Sequence, residues 1–164
     1  MDTTGGELTL QIAPSKRFYV ELSGSYQDTK DKRVGLEDIE PGYSPKFLGY
    51  LKASMFLNDN ISVAVTGNYI SEMESFYDAV NHIRSGEKVD GYFLLGANLR
   101  IRKLFGTGLF LNFRGSNLLD QEYRYPTTGN NSTFASKGTL GRGLSFLATF
   151  GIEFIPVPSP NPMP

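Results

Sequence analysis

The residue types that most often perform catalysis or bind metals are few in this chain and form no productive pattern. His82 is the only histidine and cysteine is absent, so a zinc-type site, which draws its ligands from Cys and His, lacks ligands. Ser145 stands in Gly-Leu-Ser-Phe-Leu, which lacks the second glycine of a hydrolase nucleophile elbow. Gly138, Gly141 and Gly143 precede no Lys-Ser/Thr pair of a phosphate-binding loop. The sequence therefore predicts no enzyme and no bound cofactor.

One acidic cluster has the oxygen ligands that Ca²⁺ prefers. It comprises Asp28, Asp31, Glu37, Asp38 and Glu40. Its spacing differs from that of an EF-hand loop, in which every second position supplies a ligand. The cluster is predicted to be a solvated acidic loop, and no metal site is expected.

Composition narrows the class of protein. The 164 residues include 16 Lys and Arg against 17 Asp and Glu, which gives a net charge of −1. A nucleic-acid-binding protein usually carries a basic excess, so no nucleic acid is expected as a partner. Phe and Tyr number 12 and 9, Gly numbers 18, and this bias favours strands.

The elements that would position any site are strands, because apolar and polar residues alternate along most of the chain. From Arg142 to Phe154, one face carries Leu144, Phe146, Ala148, Phe150, Ile152 and Phe154. Side chains two residues apart share a face of a strand, and a helix would need apolar repeats of three and four. The same alternation predicts six further strands, around residues 8–12, 18–27, 50–57, 61–69, 93–102 and 109–114.

Short and long connections alternate between these strands. The short turns fall at residues 14–16, 58–60 and 103–106, and the long loops at 29–46, 72–90 and 118–141. An antiparallel meander then has all its short turns at one end, as outer-membrane barrels do. No window is long and apolar enough for a spanning helix, and residues 1–5 do not resemble a secretory signal. The fold class is predicted to be all-β, an antiparallel up-and-down transmembrane barrel. A soluble ligand-binding barrel with its apolar face inside remains an alternative.

The barrel interpretation assigns the charged and aromatic side chains. Charges on the polar faces are expected to point into a wet lumen, since charge on the lipid face is costly; they are Glu21, Lys52, Arg100, Arg102, Arg114 and Glu153. Aromatic residues near strand ends, expected at the membrane interface, are Tyr26, Tyr69, Tyr92 and Phe154. Aromatic residues in or near the loops, expected to be able to contact a ligand, are Tyr43, Phe76, Tyr77, Tyr123, Tyr125 and Phe134.

Two motifs in register carry a family resemblance. Asn117-Leu118-Leu119-Asp120, with Tyr123 three residues later, resembles the Asn-Leu-(Phe/Leu)-Asp-x-x-Tyr motif of TonB-dependent receptors. Gly141-Arg142 and the alternating residues to Phe154 resemble the final strand of that family and its closing aromatic residue. A weaker similarity runs from Pro41 to Tyr69, and the whole resemblance extends from Gly6 to Phe154.

The resemblance implies part of a larger receptor barrel. Residues 1–154 are expected to form about seven C-terminal strands, and residues 155–164 a proline-rich tail outside the sheet. Such receptors sit in the outer membrane of Gram-negative bacteria and import siderophores, haem, cobalamin or glycans. The implied partners are outer-membrane lipid, N-terminal barrel strands and a plug, with TonB reached only through that plug. No plug or TonB box is found here. A small self-contained outer-membrane barrel, either an adhesin or a lipid-modifying enzyme, remains a further alternative.

Overall fold

A computed structural model describes residues 1–37, 39–127 and 135–153. Seven long strands form one sheet, confirming the predicted number. They are β1 (Asp2–Ser15), β2 (Phe18–Lys30), β3 (Phe47–Phe56), β4 (Ile61–Ile70), β7 (Tyr92–Leu104), β8 (Leu109–Ser116) and β11 (Ser145–Ile152). Four two-residue strands lie in the long loops: β5 (Tyr77–Asp78), β6 (Ile83–Arg84), β9 (Arg124–Tyr125) and β10 (Thr139–Leu140). Among the described residues, no helix is long and apolar enough to cross a membrane.

The large sheet is an antiparallel meander. Its spatial order is β1-β2-β3-β4-β7-β8-β11, so each long strand pairs with its neighbours along the chain. The short connections all fall at one end of the sheet and the long loops at the other, as the sequence predicts. Within the described residues, β1 and β11 each pair on one side only, so the sheet is open.

Three details differ from the prediction. The first strand begins at Asp2, where the sequence predicts only residues 8–12, because Thr and Gly residues in β1 pair in register with β2. The last strand begins at Ser145, not Arg142, because the amide of Leu144 donates to Asp120 Oδ1 at 2.9 Å instead of joining the ladder. The pairs β5–β6 and β9–β10 are absent from the prediction.

The two faces of the sheet differ in polarity as the alternation predicts. Apolar residues that share one face stay exposed, including Leu8 (76%), Leu22 (52%), Val65 (45%) and Phe150 (64%). The opposite face lines a wide concavity of about 890 Å³, whose walls include Lys52, Thr66, Asn98, Asn112 and Arg114. A soluble barrel would place the apolar face inside, so this arrangement runs against that alternative.

A row of aromatic side chains crosses the apolar face near its loop end. Tyr26 pairs in register with Phe47, and Tyr69 with Phe93. The ring centroids of Phe47 and Tyr69 lie 5.9 Å apart. Such a row at one level is typical of the interfacial girdle of an outer-membrane barrel.

One glycine beneath this row makes room for a ring. A Cβ at Gly67 would lie 2.7 Å from the ring of Phe93. The Gly67 position therefore allows Phe93 to lie against the backbone, and an alanine there would displace the ring.

Tyr92 does not belong to this row, and its assignment to the membrane interface is wrong. Its side chain is only 4% exposed, and it packs with Met73, Val89 and Tyr123. The sequence places Tyr92 at a strand end, but its alternation cannot show that the adjoining loops fold back over that end. Phe154, expected at the opposite interface, lies outside the described residues, as do Asp38, Phe134 and residues 155–164.

Candidate functional site

The polar face carries two charged clusters near the short-turn end. In the first, Glu153 accepts hydrogen bonds from Arg102 Nη2 at 3.0 Å and Nε at 3.2 Å, and it also pairs with Arg100. Arg100 Cζ lies 5.0 Å from the ring centroid of Phe110. Since Glu153 follows β11 and both arginines lie on β7, the cluster joins strands on either side of β8.

The second cluster lies on β1, β2 and β3. Tyr19 donates from its hydroxyl to Glu21 at 2.5 Å, and Gln11 donates to the same carboxylate at 3.4 Å. Lys52 lies opposite Glu21 in the strand register, and its Nζ is 5.9 Å from the ring centroid of Tyr19. The six predicted lumen charges thus include two carboxylates that are each held by neighbours on the same face.

Positive charge exceeds negative charge on this face. Lys52, Arg114 and Arg142 line the concavity and form no ion pair among the described residues. Arg100 Nε is also buried and has no hydrogen-bond partner among the described residues. Arg100, Arg114 and Arg142 all line the concavity, and the strand register places Arg114 nearer the loop end than Arg100.

The long loops pack into one layer, here called the loop layer: residues 31–46, 71–91 and 117–144 where described. Tyr43 connects all three loops, because its amide donates to Glu74 O at 2.9 Å and its hydroxyl donates to Thr127 O at 2.6 Å. Arg84 adds a second connection, donating to Ser75 O at 2.7 Å and to Glu40 O at 2.6 Å. The loops are therefore held to one another by main-chain acceptors rather than by apolar contact alone.

Four of the six aromatic residues that the sequence predicts as able to contact a ligand are exposed or half-exposed in this layer but do not form one cluster: Tyr43, Phe76, Tyr77 and Tyr125. Tyr43, Phe76 and Tyr125 are 40%, 38% and 49% exposed. Tyr77 lies on β5, with Arg84 Cζ at 5.6 Å from its ring centroid and its hydroxyl 3.5 Å from His82 Nδ1. Tyr125 packs edge-on against Tyr123 with centroids 5.6 Å apart. Tyr43 is thus the one of the four whose polar group is already used between loops.

The Asn-Leu-Leu-Asp segment forms a clamp between three strands. Asn117 Nδ2 donates to Gln121 O at 3.0 Å and to Arg142 O at 3.1 Å, and its Oδ1 accepts from the Gln121 amide at 3.0 Å. The amide of Leu118 donates to Leu95 O at 2.8 Å. Both Asn117 and Asp120 have left-handed φ angles, 50° and 47°, which Asn and Asp tolerate better than most residues. The clamp joins the exit of β8 to β7 and to the entry of β11.

The remaining motif residues complete this clamp. Tyr123 stacks on Tyr92 with ring centroids 4.5 Å apart, and its carbonyl accepts from the Gly141 amide at 2.8 Å. A Cβ on Gly141 would collide with the Tyr123 ring. Leu119 is 60% exposed. The structure therefore brings Asn117, Asp120, Tyr123, Gly141 and Arg142 together, where they hold the backbone of the clamp.

Two acidic residues of the first long loop pair with cations. Asp31 binds Arg33 through both carboxylate oxygens, and hydrogen bonds from Arg33 lower the pKa of Asp31 to about 2. Lys46 pairs with Glu40 and holds the pKa of that carboxyl below its usual range. Within the described residues, no group of three or more metal-ligating side chains is found. His82 is exposed, with its φ at 55°.

Several residues that organise the loop layer are not singled out by sequence patterns. Ser75 is fully buried, with its hydroxyl donating to Gly86 O at 2.6 Å, and Thr127 is 2% exposed. Arg84 is likewise an unremarkable loop arginine in the sequence. No periodicity marks these residues, because their partners are backbone carbonyl oxygens 8 or more residues away along the chain.

The fold is an open antiparallel sheet of seven long strands, and solved structures show which barrels share it. The sequence matches no protein-family model and no curated protein significantly. Solved structures of TonB-dependent receptors share the fold. The ferric-catecholate import receptor Fiu from E. coli K12 matches over 93% of this chain, with 21% identity and a TM-score of 0.71. The siderophore receptor PiuA from Acinetobacter baumannii matches over 90%, with 20% identity and a TM-score of 0.65. The copper transporter OprC matches over 93%, with 16% identity and a TM-score of 0.71.

The chain covers 21% of Fiu, 21% of PiuA and 24% of OprC, so it spans about a fifth to a quarter of these receptors. The fold is therefore that of one part of a TonB-dependent receptor barrel.

Proposed function

We propose that this chain forms wall and external loops of a TonB-dependent outer-membrane receptor that imports a scarce nutrient. The observation that carries the proposal is the pairing of an exposed apolar face with a charged, concave opposite face in one meander. Its long loops all lie at one end. Lipid would cover the first face, and water and protein the second. The shared fold with the receptors supports the same conclusion.

The polar face also supports a proposed interior partner. Lys52, Arg114 and Arg142 face the concavity without carboxylate partners among the described residues. A protein segment occupying this space, such as a plug, would place carboxylates or carbonyl oxygens against them. If these cations faced only water, they would contribute nothing to binding such a segment.

The substrate class follows from the neighbours only as a proposal. The solved receptors are described as importing ferric catecholates, siderophores or copper. We propose a siderophore-like substrate for this protein, with haem, cobalamin and glycans as the other candidates. Its proposed contacts are aromatic side chains that are exposed or half-exposed in the loop layer: Tyr43, Phe76, Tyr77 and Tyr125.

The membrane assignment is tested by spin labels. Because the chain has no cysteine, single variants L111C and N112C, or F150C and T149C, each carry one label at a defined place. In vesicles, labels at Leu111 and Phe150 should collide with oxygen, which is enriched in lipid. Labels at Asn112 and Thr149 should collide with a water-soluble nickel chelate. Reversed accessibilities would establish a soluble barrel instead.

The transport assignment is tested by uptake. Cells that depend on this protein should accumulate a radiolabelled ferric siderophore, and a strain lacking it should not. Equal uptake in the two strains for every class of candidate would contradict a role in import.

A further inference from the structure

The connection between β7 and β8 is unlike the other two short turns. The β1–β2 connection consists of Lys16 and Arg17. The β3–β4 connection consists of Leu57, which is 49% exposed, followed by Asn58, Asp59 and Asn60. The polar residues of both turns suit water. The β7–β8 connection instead presents Phe105, whose side chain is 93% exposed.

The backbone at Phe105 makes this choice of residue costly. Its φ is 53°, and the next residue, Gly106, has a φ of 72°. Left-handed conformations favour Gly, Asn and Asp, whereas a large side chain adopts them only at an energetic cost. Neither local folding nor solubility is improved by a phenylalanine at this position.

The turn is nevertheless firmly closed. Gly106 N donates to Lys103 O at 3.0 Å, and Thr107 N donates to Leu104 O at 3.0 Å. Thr107 Oγ1 donates to Leu104 O at 2.7 Å and accepts from the Leu109 amide at 3.1 Å. Because these bonds fix the turn, the exposed Phe105 ring has a defined position relative to the apolar face.

Phe105 lies at the edge of the apolar face. The last register pair before the turn is Leu104 with Leu109, and the preceding pair on the apolar face is Ile101 with Leu111. Phe105 thus lies one residue beyond the apolar band. Lys103, next to it, forms no ion pair among the described residues. An aromatic ring and a lysine at the edge of an apolar band suit the headgroup region of a bilayer, where both are enriched.

We propose that the turn of residues 103–107 is an interfacial anchor, with Phe105 seated among the lipid headgroups and first acyl carbons at the short-turn end of the barrel. The inference rests on the proposed function, since it needs lipid around the apolar face. Burial in lipid supplies the stabilisation that the left-handed conformation costs.

The chain contains no tryptophan, so single-tryptophan variants give a background-free readout. F105W tests the anchor. F113W reports the apolar face further from this turn, where Phe113 pairs with Leu99 and Ala148. V80W reports an 85% exposed site in a loop at the opposite end. Each 164-residue variant is reconstituted in phosphatidylethanolamine–phosphatidylglycerol vesicles containing lipids brominated either near the headgroup or in mid-chain.

The expected result is that headgroup-proximal bromines quench F105W most, mid-chain bromines quench F113W most, and only aqueous acrylamide quenches V80W. If F113W is quenched by lipid while F105W behaves like V80W, the anchor is overturned and the proposed function stands. If F113W also reports water, both fail. Strongest quenching of F105W by mid-chain bromines would overturn the interfacial position.

A second measurement does not depend on the larger tryptophan ring. A spin label on F105C should collide with both oxygen and the nickel chelate to intermediate extents. Accessibility to the chelate as high as that of V80C would overturn the anchor.

Discussion

The wall and the loop layer of this chain are stabilised in different ways. In the long strands, most side chains are exposed or half-exposed, and the backbone ladder supplies the order. The buried side chains instead lie in or beside the loop layer, among them Met73, Ser75, Val89, Asn117 and Thr127. The loop layer has its own small core, whereas the wall depends on what covers its two faces.

This difference separates what each region needs from its surroundings. An exposed apolar face in water is an aggregation surface, and in lipid it is a stable one. The loop layer satisfies its polar groups internally, through residues such as Tyr43 and Arg84. Changes to the wall should therefore show their effect through assembly, and changes to the loop layer through local opening.

The largest expected effect concerns the open edges of the wall. The described chain leaves one side of β1 and one side of β11 without partners. Each unsatisfied backbone group costs several kcal/mol in lipid, and an open edge in water recruits other chains. Refolded alone into detergent micelles, this chain should form mixed oligomers, measured by light scattering and by heat-modifiable gel mobility. A homogeneous, protease-resistant monomer would show that the wall closes by itself.

The next largest effect concerns the small core of the loop layer. Tyr123 is 9% exposed and packs on Tyr92, so Y123A should cost about 3–5 kcal/mol, as large-to-small changes at buried aromatic sites do. Hydrogen exchange should then show faster opening at Met73 and Val89, with the wall ladder little changed. The control is Y125A, at a site 49% exposed, where the loss should be much smaller. Equal loss of protection in the wall would remove the distinction between the two regions.

The clamp between the wall and the loop layer should show an intermediate effect. N117A removes three side-chain hydrogen bonds and places alanine at a φ of 50°. It should cost about 2–4 kcal/mol from lost hydrogen bonds and left-handed strain together. N117G should cost less, because glycine accepts that conformation freely.

The measurement for the clamp is the β8–β11 register. Phe113 and Ala148 are partners in it, so F113C and A148C should form a disulfide in the parent chain and form it less efficiently with N117A. Unchanged cross-linking would show that the register does not depend on Asn117.

The smallest effect concerns pH in the first long loop. Arg33 lowers the pKa of Asp31 to about 2, from an ordinary value of 3.8. The contribution of this pair is therefore fully present above about pH 4 and is lost as the pH falls through about 2. Amide chemical shifts of Arg33, whose N–H donates to Asp31 Oδ1 at 3.0 Å, should titrate in that window. The same shifts in D31N should stay constant, and a midpoint near pH 4 in the parent chain would contradict the pairing.

The wall was predictable from sequence, and the loop layer was not. A period of two places Phe146 and Phe150 on one face whatever their neighbours are, and the lengths of the connections order the strands. Tyr92 was misplaced because its position near a strand end was taken as interfacial, although period two puts it on the face opposite Phe93. The start of β11 was misplaced because it depends on the Asp120 side chain returning to the sheet. Ser75 and Thr127 escaped notice since their partners are carbonyl oxygens, which every residue has. The motif at Asn117 was recognisable by its residues, but its role as a clamp needed coordinates.

The alternation of short and long connections also bears on how the chain folds. Two residues join β1 to β2, and sixteen join β2 to β3. Each doubling of a closing loop adds about 0.6 kcal/mol of entropy cost, so three doublings add about 2 kcal/mol. Three hairpins, β1–β2, β3–β4 and β7–β8, should therefore form as early local units. The pairings that follow must wait for the slower long loops, and the time between these two stages is when the apolar face is bare.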